Sequence, residues 1–391
     1  MTTSRADSVS MAPVSGFRIR PVLGRIVRNI PDFPFLELPF REDYNTCHRV
    51  RRLKCEDEMP PIRSEKDPAQ IRNQAKTAWK RMKSCDLCPR NCGINRLQNE
   101  IGECGIGAKA VIISALPHYG EEAPLVGENG SGTIFFTGCN LHCVFCQNYE
   151  ISHSPVGREM SGDQLAGVML NLQKAGCHNI NLVSPSHVVA QILSALAIAI
   201  EHGLHIPIVY NSGGYDTLST LRLFEGIVDI YMPDFKFWNP ESARTYMNAE
   251  DYPSVAREAI LEMYRQVGDL VVDDNGIAKR GILLRHLVMH GCIEDTREIF
   301  HFLATQISPE IYVNIMDQYH PAGKASQYKE INRGLTEAEF QEAVWAAQEE
   351  GLVRFDPGAK ISQEIGPSGK KSPKDERWKT TDLDATDCKS S

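Results

Sequence analysis

Short apolar runs alternate with amphipathic stretches along the chain from about residue 133 to residue 355. This alternation is typical of repeated strand–helix units that form a parallel sheet. Helices are expected at 161–176 and at about 187–202, and a Thr336–Glu339 capping box predicts the start of a last helix. The six expected strands are 133–137, 179–183, 207–211, 228–232, 281–288 and 311–316.

Six strand–helix units are too few to close an eight-stranded barrel. The expected fold class is therefore α/β, as a partial (β/α)6 barrel of the TIM type, in which ligands bind at the carboxyl ends of the strands. The barrel is assigned to residues 116–356, and residues 65–115 are expected to form a helix and a Cys-rich metal-binding segment. Because of their composition, residues 1–64 are expected to be an extended or disordered lead-in and residues 357–391 a disordered tail.

Composition narrows the function classes. Hydrophobic residues make up 42% and charged residues 24% of the 391-residue chain, as in soluble globular proteins, and no apolar stretch reaches the ~20 residues that span a bilayer. The formal net charge of −8 argues against an extended nucleic-acid surface. We therefore expect neither membrane nor nucleic-acid binding. The lack of an apolar secretion signal favours a cytoplasmic location, with the mitochondrial matrix as the alternative because the N-terminus is Arg-rich.

Twelve cysteines are present, and seven of them fall in two short clusters. Such clustering favours metal binding in a reducing compartment over disulfides that close loops. The first cluster, spaced C-x2-C-x3-C-x11-C, supplies four thiols, which suffice for a closed site. Structural zinc and an auxiliary iron–sulfur cluster both accept four thiolates, so the metal stays open. The members are Cys85, Cys88, Cys92 and Cys104.

The second cluster, spaced C-x3-C-x2-C, directly follows the first expected strand, where a barrel of this kind binds its ligand. Three thiolates on a four-iron four-sulfur cluster leave one iron open, and the methionine amine and carboxylate of S-adenosylmethionine (SAM) can supply the missing ligand. Zinc completed by His142 is the alternative, which the position after the strand and the lack of a nearby fourth cysteine downstream disfavour. The members are Cys139, Cys143 and Cys146.

Several motifs carry a resemblance to a known family. Residues 118–152 contain Gly120-Glu121-Glu122 and the cysteine triad followed by Gln147-Asn148-Tyr149. This region resembles the radical SAM superfamily, and more closely its branch of iron–sulfur proteins related to pyruvate formate-lyase activating enzyme. The resemblance covers about residues 85–355 and implies a partial (β/α)6 barrel, one SAM-binding cluster and hydrogen abstraction. Further matching segments are Cys85-x2-Cys88-Pro89-Arg90-x-Cys92, Tyr210-Asn211-Ser212-Gly213-Gly214-Tyr215, Pro233-Asp234-Phe235-Lys236, Arg285-His286-Leu287-Val288 and Met316-x-Gln318-Tyr319.

The resemblance also suggests which residues bind SAM. In the activating enzymes an Asp-x-Lys after the fourth strand helps to bind SAM, and Asp234 and Lys236 match it. Lys236 can neutralise the methionine carboxylate and Asp234 can accept from the amine or a ribose hydroxyl; a solvated surface ion pair is the alternative. Asn211 and Ser212 are expected to line the adenosyl pocket. Many members end the second strand in Gly-Gly-Glu, where this chain has Ser184, so a SAM contact at Ser184 is inferred by position alone.

The expected activity is reductive cleavage of SAM to a 5′-deoxyadenosyl radical that abstracts hydrogen from an unidentified substrate. The resemblance to the activating enzymes suggests a glycyl-radical-type protein as that substrate. Radical modification of a small molecule or peptide is one alternative, and a non-catalytic iron–sulfur scaffold or electron carrier is another. SAM and an electron donor are the expected partners, and no catalytic side chain is assigned.

Overall fold

The computed structural model describes residues 67–154 and 156–357. The segments predicted to be disordered, 1–64 and 357–391, lie outside these ranges apart from residue 357. The strands are β1 Ala110–His118, β2 Ser131–Phe136, β3 Arg158–Met160, β4 Ile180–Val183, β5 Ile208–Ser212, β6 Ile230–Pro233, β7 Val271–Val272, β8 Ala278–Leu287, β9 Tyr312–Met316 and β10 Arg354–Phe355. The helices are α1 Pro68–Arg81, α2 Ala123–Val126, α3 Tyr149–Ser152, α4 Gly162–Lys174, α5 Val189–Glu201, α6 Leu218–Leu221, α7 Pro240–Met247, α8 Tyr252–Val267, α9 Ile293–Phe302 and α10 Glu337–Glu349.

Six parallel strands form the centre of the sheet. Their spatial order, β2-β4-β5-β6-β8-β9, is also their order along the chain, and each pairs with its neighbours in parallel. The predicted α/β architecture and all six predicted strands are therefore confirmed. β10 extends the sheet beside β9, whereas β1 pairs antiparallel with β2 and carries β3 on its other edge.

Periodicity did not predict β1. Its first residues are buried, but its second half alternates irregularly and contains Pro117. β3 covers only residues 110–112, so Pro117 lies where β1 is the edge strand, a position that tolerates proline. β1 crosses the expected segment boundary at residue 115, and the division of the chain into segments stays a prediction.

The predicted helices begin at the caps that the sequence contains. The Gln164 N–H donates to the Ser161 hydroxyl at 3.2 Å and the Gln164 side chain bonds back to the Ser161 N–H, and Thr336 with Glu339 forms the same capping box. The helix expected within residues 65–115 is present as α1, followed by a short 3-10 turn. Across the described ranges, no helix is both long and apolar enough to cross a membrane.

Strand residues alternate between two apolar clusters. The large cluster includes buried residues of most helices, and the small one lies on the inner face of the sheet. The inner cluster contains Leu125, Val209, Ile230, Met232, Leu270, Ala278, Leu283 and Tyr312. Because side chains alternate along a strand, the positions that follow toward the carboxyl ends also face inward. They are Asn211, Asp234, Arg285 and Asn314. A polar layer therefore lies above an apolar floor.

Candidate functional site

The loop with the three-cysteine motif, residues 138–148, leaves the carboxyl end of β2. We call it the three-cysteine loop. The Val144 N–H donates to the Tyr246 carbonyl at 2.9 Å, and the Lys324 N–H donates to the Val144 carbonyl at 2.7 Å. The middle of the loop is thus held from both sides by segments that are distant in sequence.

A second set of contacts joins this loop to the segment that contains the four cysteines of the first cluster. Arg90 Nε donates to the Asn140 carbonyl at 2.8 Å, and Asn140 Nδ2 donates to the Tyr215 carbonyl at 2.7 Å. The Arg90 guanidinium also lies over the Tyr215 ring, 5.4 Å from its centroid. These contacts fix the backbone next to Cys139.

The thiols of the loop lie close enough to affect one another's ionisation. Burial raises the pKa of Cys139 to about 11, and Cys146 adds to the shift. Burial also raises the pKa of Cys143, while the Lys236 ammonium opposes that shift. The three predicted cluster ligands and Lys236 are therefore neighbours.

A buried network of charged groups lies beside the loop on the inner face. Lys236 Nζ donates to Asp234 Oδ2 at 2.5 Å, and Arg285 Nε donates to Asp234 Oδ1 at 2.7 Å. Arg285 Nη2 also donates to Asn211 Oδ1 at 2.7 Å. The Lys236 and Asp234 side chains are 15% and 13% exposed, which rules out a solvated surface ion pair.

Mutual attraction keeps this network ionised. Burial by itself would raise the pKa of Asp234, but the Arg285 and Lys236 charges outweigh it and hold the pKa below its usual value. Burial would likewise lower the pKa of Lys236, but Asp234 and Cys143 raise it instead. Lys236 is therefore a cation between a carboxylate and a cysteine of the three-cysteine loop.

The Tyr252 hydroxyl connects two strand ends at this site. It accepts from the Lys236 N–H at 2.9 Å and lies 3.0 Å from the Gly213 and Asp234 carbonyl oxygens, which share its proton. A β-carbon on Gly213 would come within 2.8 Å of the Leu141 side chain. The backbone after β5 therefore packs directly against the three-cysteine loop.

Ser212 and Ser184 differ in surroundings from the inward-facing Asn211. The Ser212 hydroxyl accepts from the Gly214 N–H at 3.2 Å and is hydrogen-bonded to the buried Asp216, so it supports the turn after β5. Ser184 adopts φ +60°, and its N–H donates to the Asn211 carbonyl at 2.9 Å. The assignment of Ser184, Asn211 and Ser212 to SAM binding stays a prediction.

Three residues at this site were not assigned from the sequence, namely Glu122 and two residues of the polar layer, Arg285 and Asn314. Asn314 Nδ2 donates to Glu122 Oε1 at 3.1 Å, and Arg285 Nη1 lies 3.7 Å from the same oxygen. The adjacent glutamates of the Gly120-Glu121-Glu122 motif were the sequence feature that could have indicated Glu122. Alternation alone could not decide between Arg285 and His286, and the structure places His286 on the opposite face, fully surrounded by the core.

The four cysteines of the first cluster lie in residues 85–104, which we call the four-cysteine segment. The Cys85 N–H donates to the Ile94 carbonyl at 2.8 Å, and the Gly93 N–H donates to the Cys85 carbonyl at 3.0 Å. Asn91 and Gly93 have φ of +43° and +66°, which closes a tight turn. These backbone contacts fold the start of the segment onto itself.

A buried arginine lies beside this segment. Arg96 is 1% exposed; it donates to the Gly107 and His187 carbonyls, and its Nη1 lies 3.9 Å from Cys85 Sγ. Burial raises the pKa of Cys88 to about 12, and the other three thiols of the segment act in the same direction. The four thiols are therefore mutual neighbours beside one guanidinium.

The two cysteine motifs adjoin each other. Gly138 has φ +75°, and a β-carbon there would collide with the Cys104 carbonyl oxygen. The His187 ring hydrogen-bonds the Thr137 carbonyl at 2.8 Å, while the His187 carbonyl accepts from Arg96. These contacts link the two motifs at the start of the three-cysteine loop.

The chemistry of the side chains decides whether they can bind a metal ion or an iron–sulfur cluster. Within 67–154 and 156–357, no three His, Cys, Asp or Glu side chains are already arranged to hold a metal ion. The seven thiols are nevertheless free of disulfides. Burial raises the pKa of Cys88, Cys104, Cys139 and Cys143, which disfavours their thiolate forms unless a cation binds them. The three-cysteine loop thus suits a four-iron four-sulfur cluster with one open iron, and the four-cysteine segment suits a closed metal site.

Comparison with known proteins agrees with this arrangement. The radical SAM superfamily model matches residues 133–303. An uncharacterized protein of Methanocaldococcus jannaschii is 32% identical over 279 residues, which cover 69% of this chain and 76% of that protein.

Two solved structures are also similar. Methylornithine synthase is 12% identical, with 82% of this chain and 86% of that chain covered and a TM-score of 0.38. A radical S-adenosylmethionine methyltransferase from Kitasatospora setae, with cobalamin and a four-iron four-sulfur cluster bound, is 13% identical, with 48% of this chain and 36% of that chain covered and a TM-score of 0.36. Because both TM-scores are low, neither structure indicates the activity of this chain.

The chain belongs to the radical SAM superfamily. Membership implies a four-iron four-sulfur cluster and SAM as cofactors, and SAM cleavage as the general chemistry. The matched region starts in β2 and contains the three-cysteine loop, Asp234, Lys236 and Arg285.

Proposed function

We propose that the protein is a radical SAM enzyme in which Cys139, Cys143 and Cys146 bind the cluster and Asp234 and Lys236 bind SAM. When bound at these cysteines, the cluster would supply the electron for reductive cleavage of SAM and so start hydrogen abstraction from the substrate. The observation that carries the proposal is the position of Lys236, which pairs with Asp234 and influences the ionisation of Cys143.

The chain's own residues would orient SAM by charge. Lys236 and Arg285 place two cationic groups beside Asp234, and Lys236 can pair with the carboxylate of a methionine group beside the loop. Asn211 holds Arg285, so the network is organised before a ligand arrives. Leu141 is 2% exposed and limits the access of water to the thiols.

The substrate and the second metal are finer proposals. The resemblance to activating enzymes supports a glycyl-radical-type protein as the substrate, reached with the help of an electron donor. A small molecule or a peptide side chain is the second candidate, and a cavity of about 240 Å³ beside Glu122 and Arg285 favours it. For the four-cysteine segment we propose a second metal site, with zinc and an iron–sulfur cluster both open.

The test is anaerobic. The purified protein is reconstituted with iron and sulfide, reduced with dithionite and given SAM, and 5′-deoxyadenosine is quantified. We expect product from the wild type and a loss of at least about 100-fold in Cys143→Ala, because the cluster then loses one of its three ligands.

The matched control is Cys177→Ala, a buried cysteine outside both motifs, which should keep the wild-type rate. Equal product in Cys143→Ala and wild type would contradict the proposal. A fully assembled cluster that yields no product with any offered substrate would favour the scaffold or electron-carrier alternative.

A further inference from the structure

The cavity beside the polar layer is lined by more acidic than basic residues. It has a volume of about 240 Å³, and its lining contains four acidic residues but only one basic residue, Arg285. The acidic residues are Glu121, Glu122, Asp317 and Asp356. An acidic lining attracts cations, but the partners of each carboxylate decide whether one of them is available.

Two of these carboxylates have partners in the structure. Glu121 Oε1 lies 3.1 Å from His118 Nδ1. Asp356 Oδ2 accepts from the Ala123 N–H at 3.2 Å and from the Tyr312 hydroxyl at 3.1 Å. These contacts anchor the wall of the cavity and connect the segment after β1 to β9.

Glu122 is different because half of its carboxylate lacks a partner. Its Oε1 faces Asn314 and Arg285, but its Oε2 is buried without any hydrogen-bond partner among the described residues. The residue is only 6% exposed. A buried carboxylate oxygen is costly to leave unsatisfied, and Glu122 lines the cavity, from which a bound ligand would supply a donor.

Arg285 does not fill this role, because none of its nitrogens hydrogen-bonds Oε2 of Glu122. Its Nε binds Asp234 and its Nη2 binds Asn211, while its Nη1 lies 3.7 Å from Oε1 of Glu122. The same guanidinium therefore borders both the cavity and the Asp234–Lys236 pair. A ligand in the cavity would lie next to the proposed SAM site.

We propose that this cavity is the substrate subsite and that Glu122 Oε2 accepts hydrogen bonds from a primary ammonium group of the substrate. The inference rests on the proposed function for the role of the cavity, and it narrows the substrate class to an amine. The volume suits a small amine or a single lysine side chain, because ligand cavities for larger molecules are typically ~300–1,000 Å³.

The test uses n-butylammonium chloride as the probe on the full chain, with 1-butanol and butyrate at matched ionic strength. Binding is followed by ligand-observed NMR titration. We expect saturable binding of butylammonium only, and a loss of affinity of about tenfold or more in Glu122→Gln, because the substitution replaces a carboxylate acceptor with an amide of nearly the same shape. The control Glu128→Gln changes an exposed glutamate outside the cavity and should bind as the wild type does.

Equal binding of butanol or butyrate, or unchanged affinity in a folded Glu122→Gln, would overturn the proposal. If Glu122→Gln does not fold, the selectivity of the wild type alone decides. Magnesium chloride that displaces butylammonium competitively at low concentration would instead make this a metal site and reject the amine. Comparison with Nα-acetyl-lysine methylamide separates a peptide-borne amine from a free one.

The two proposals fail separately. Amine binding without SAM cleavage in the reconstituted protein rejects the proposed function and leaves the cation site. SAM cleavage without amine binding rejects the subsite and leaves the proposed function.

Discussion

The four-cysteine segment and the three-cysteine loop use the same ligand atom but differ in what surrounds it. Turns within the four-cysteine segment and the buried Arg96 hold that segment, and the Arg96 donors are directed to carbonyls and a thiol. The three-cysteine loop is held by Tyr246 and Lys324 from distant segments, and it borders Lys236.

This difference separates two uses of cysteine. A segment with four thiols and an internal counter-charge has no need of a further ligand, which suits a structural or electron-transfer metal. A loop with three thiols beside a network of charged side chains can share its metal group with a charged cofactor. The environment of the thiols, more than their number, therefore suggests which motif does chemistry.

The largest expected effect is on stability, and it should fall on the four-cysteine segment. Cys88→Ala should lower the unfolding temperature of the metal-loaded protein by about 10 °C, because a structural metal contributes to folding directly. Cys143→Ala should lower it by only a few degrees while it abolishes SAM cleavage. Anaerobic calorimetry with metal analysis measures both, and equal temperature shifts would erase the distinction between the regions.

Next in size is an effect on the contact between the regions. Gly138→Ala combines a φ of +75° with a collision against the Cys104 carbonyl, so we expect a loss of about 2–4 kcal/mol in the free energy of unfolding. Gly276→Ala is the matched control, since Gly276 has φ +76° and nothing within 4 Å of the added carbon.

The control should cost only about 1–2 kcal/mol, the penalty for the backbone conformation alone. Urea denaturation under anaerobic conditions gives both values. The excess in Gly138→Ala measures how tightly the two regions are joined, and an excess of zero would mean that they adjoin without mutual support.

The smallest effect is on the pH dependence of stability, and it comes from His187 at the junction between the two cysteine motifs. Burial, aided by the Arg96 charge, lowers the pKa of His187 to about 4 in the folded protein. In the unfolded chain His187 takes up a proton near pH 6.5, whereas in the folded protein the ring stays neutral until about pH 4. Stability is therefore lost as pH falls from about 6.5 to 4. Between pH 7 and 5.5 we expect a loss of about 1 kcal/mol from this residue.

His187→Gln keeps a donor near the Thr137 carbonyl but does not titrate, so this component should disappear from the variant. Comparing the pH dependence of the two proteins cancels metal loss common to both. An unchanged slope in the variant would show that His187 is not the group that makes the junction sensitive to acid.

Local sequence determined much of the architecture. Apolar runs predicted all six parallel strands, and the Ser161 and Thr336 caps predicted where α4 and α10 begin, because strand periodicity and capping depend on residues close in the chain. Cysteine spacing likewise identified both motifs. The sequence missed β1, since an edge strand with Pro117 and an irregular pattern carries a weak local signal.

Only the tertiary structure decided how distant charges combine. The sequence could not choose whether Arg285 or His286 faces the barrel, and it gave no reason to join Glu122 to Asn314, 192 residues away. Strand pairing set those positions, since the register of β8 and β9 brings Arg285 beside Asn314 and aligns both with Asp234. Local composition predicts the elements and the ligand motifs, whereas the register of the sheet decides which charges share the inner face.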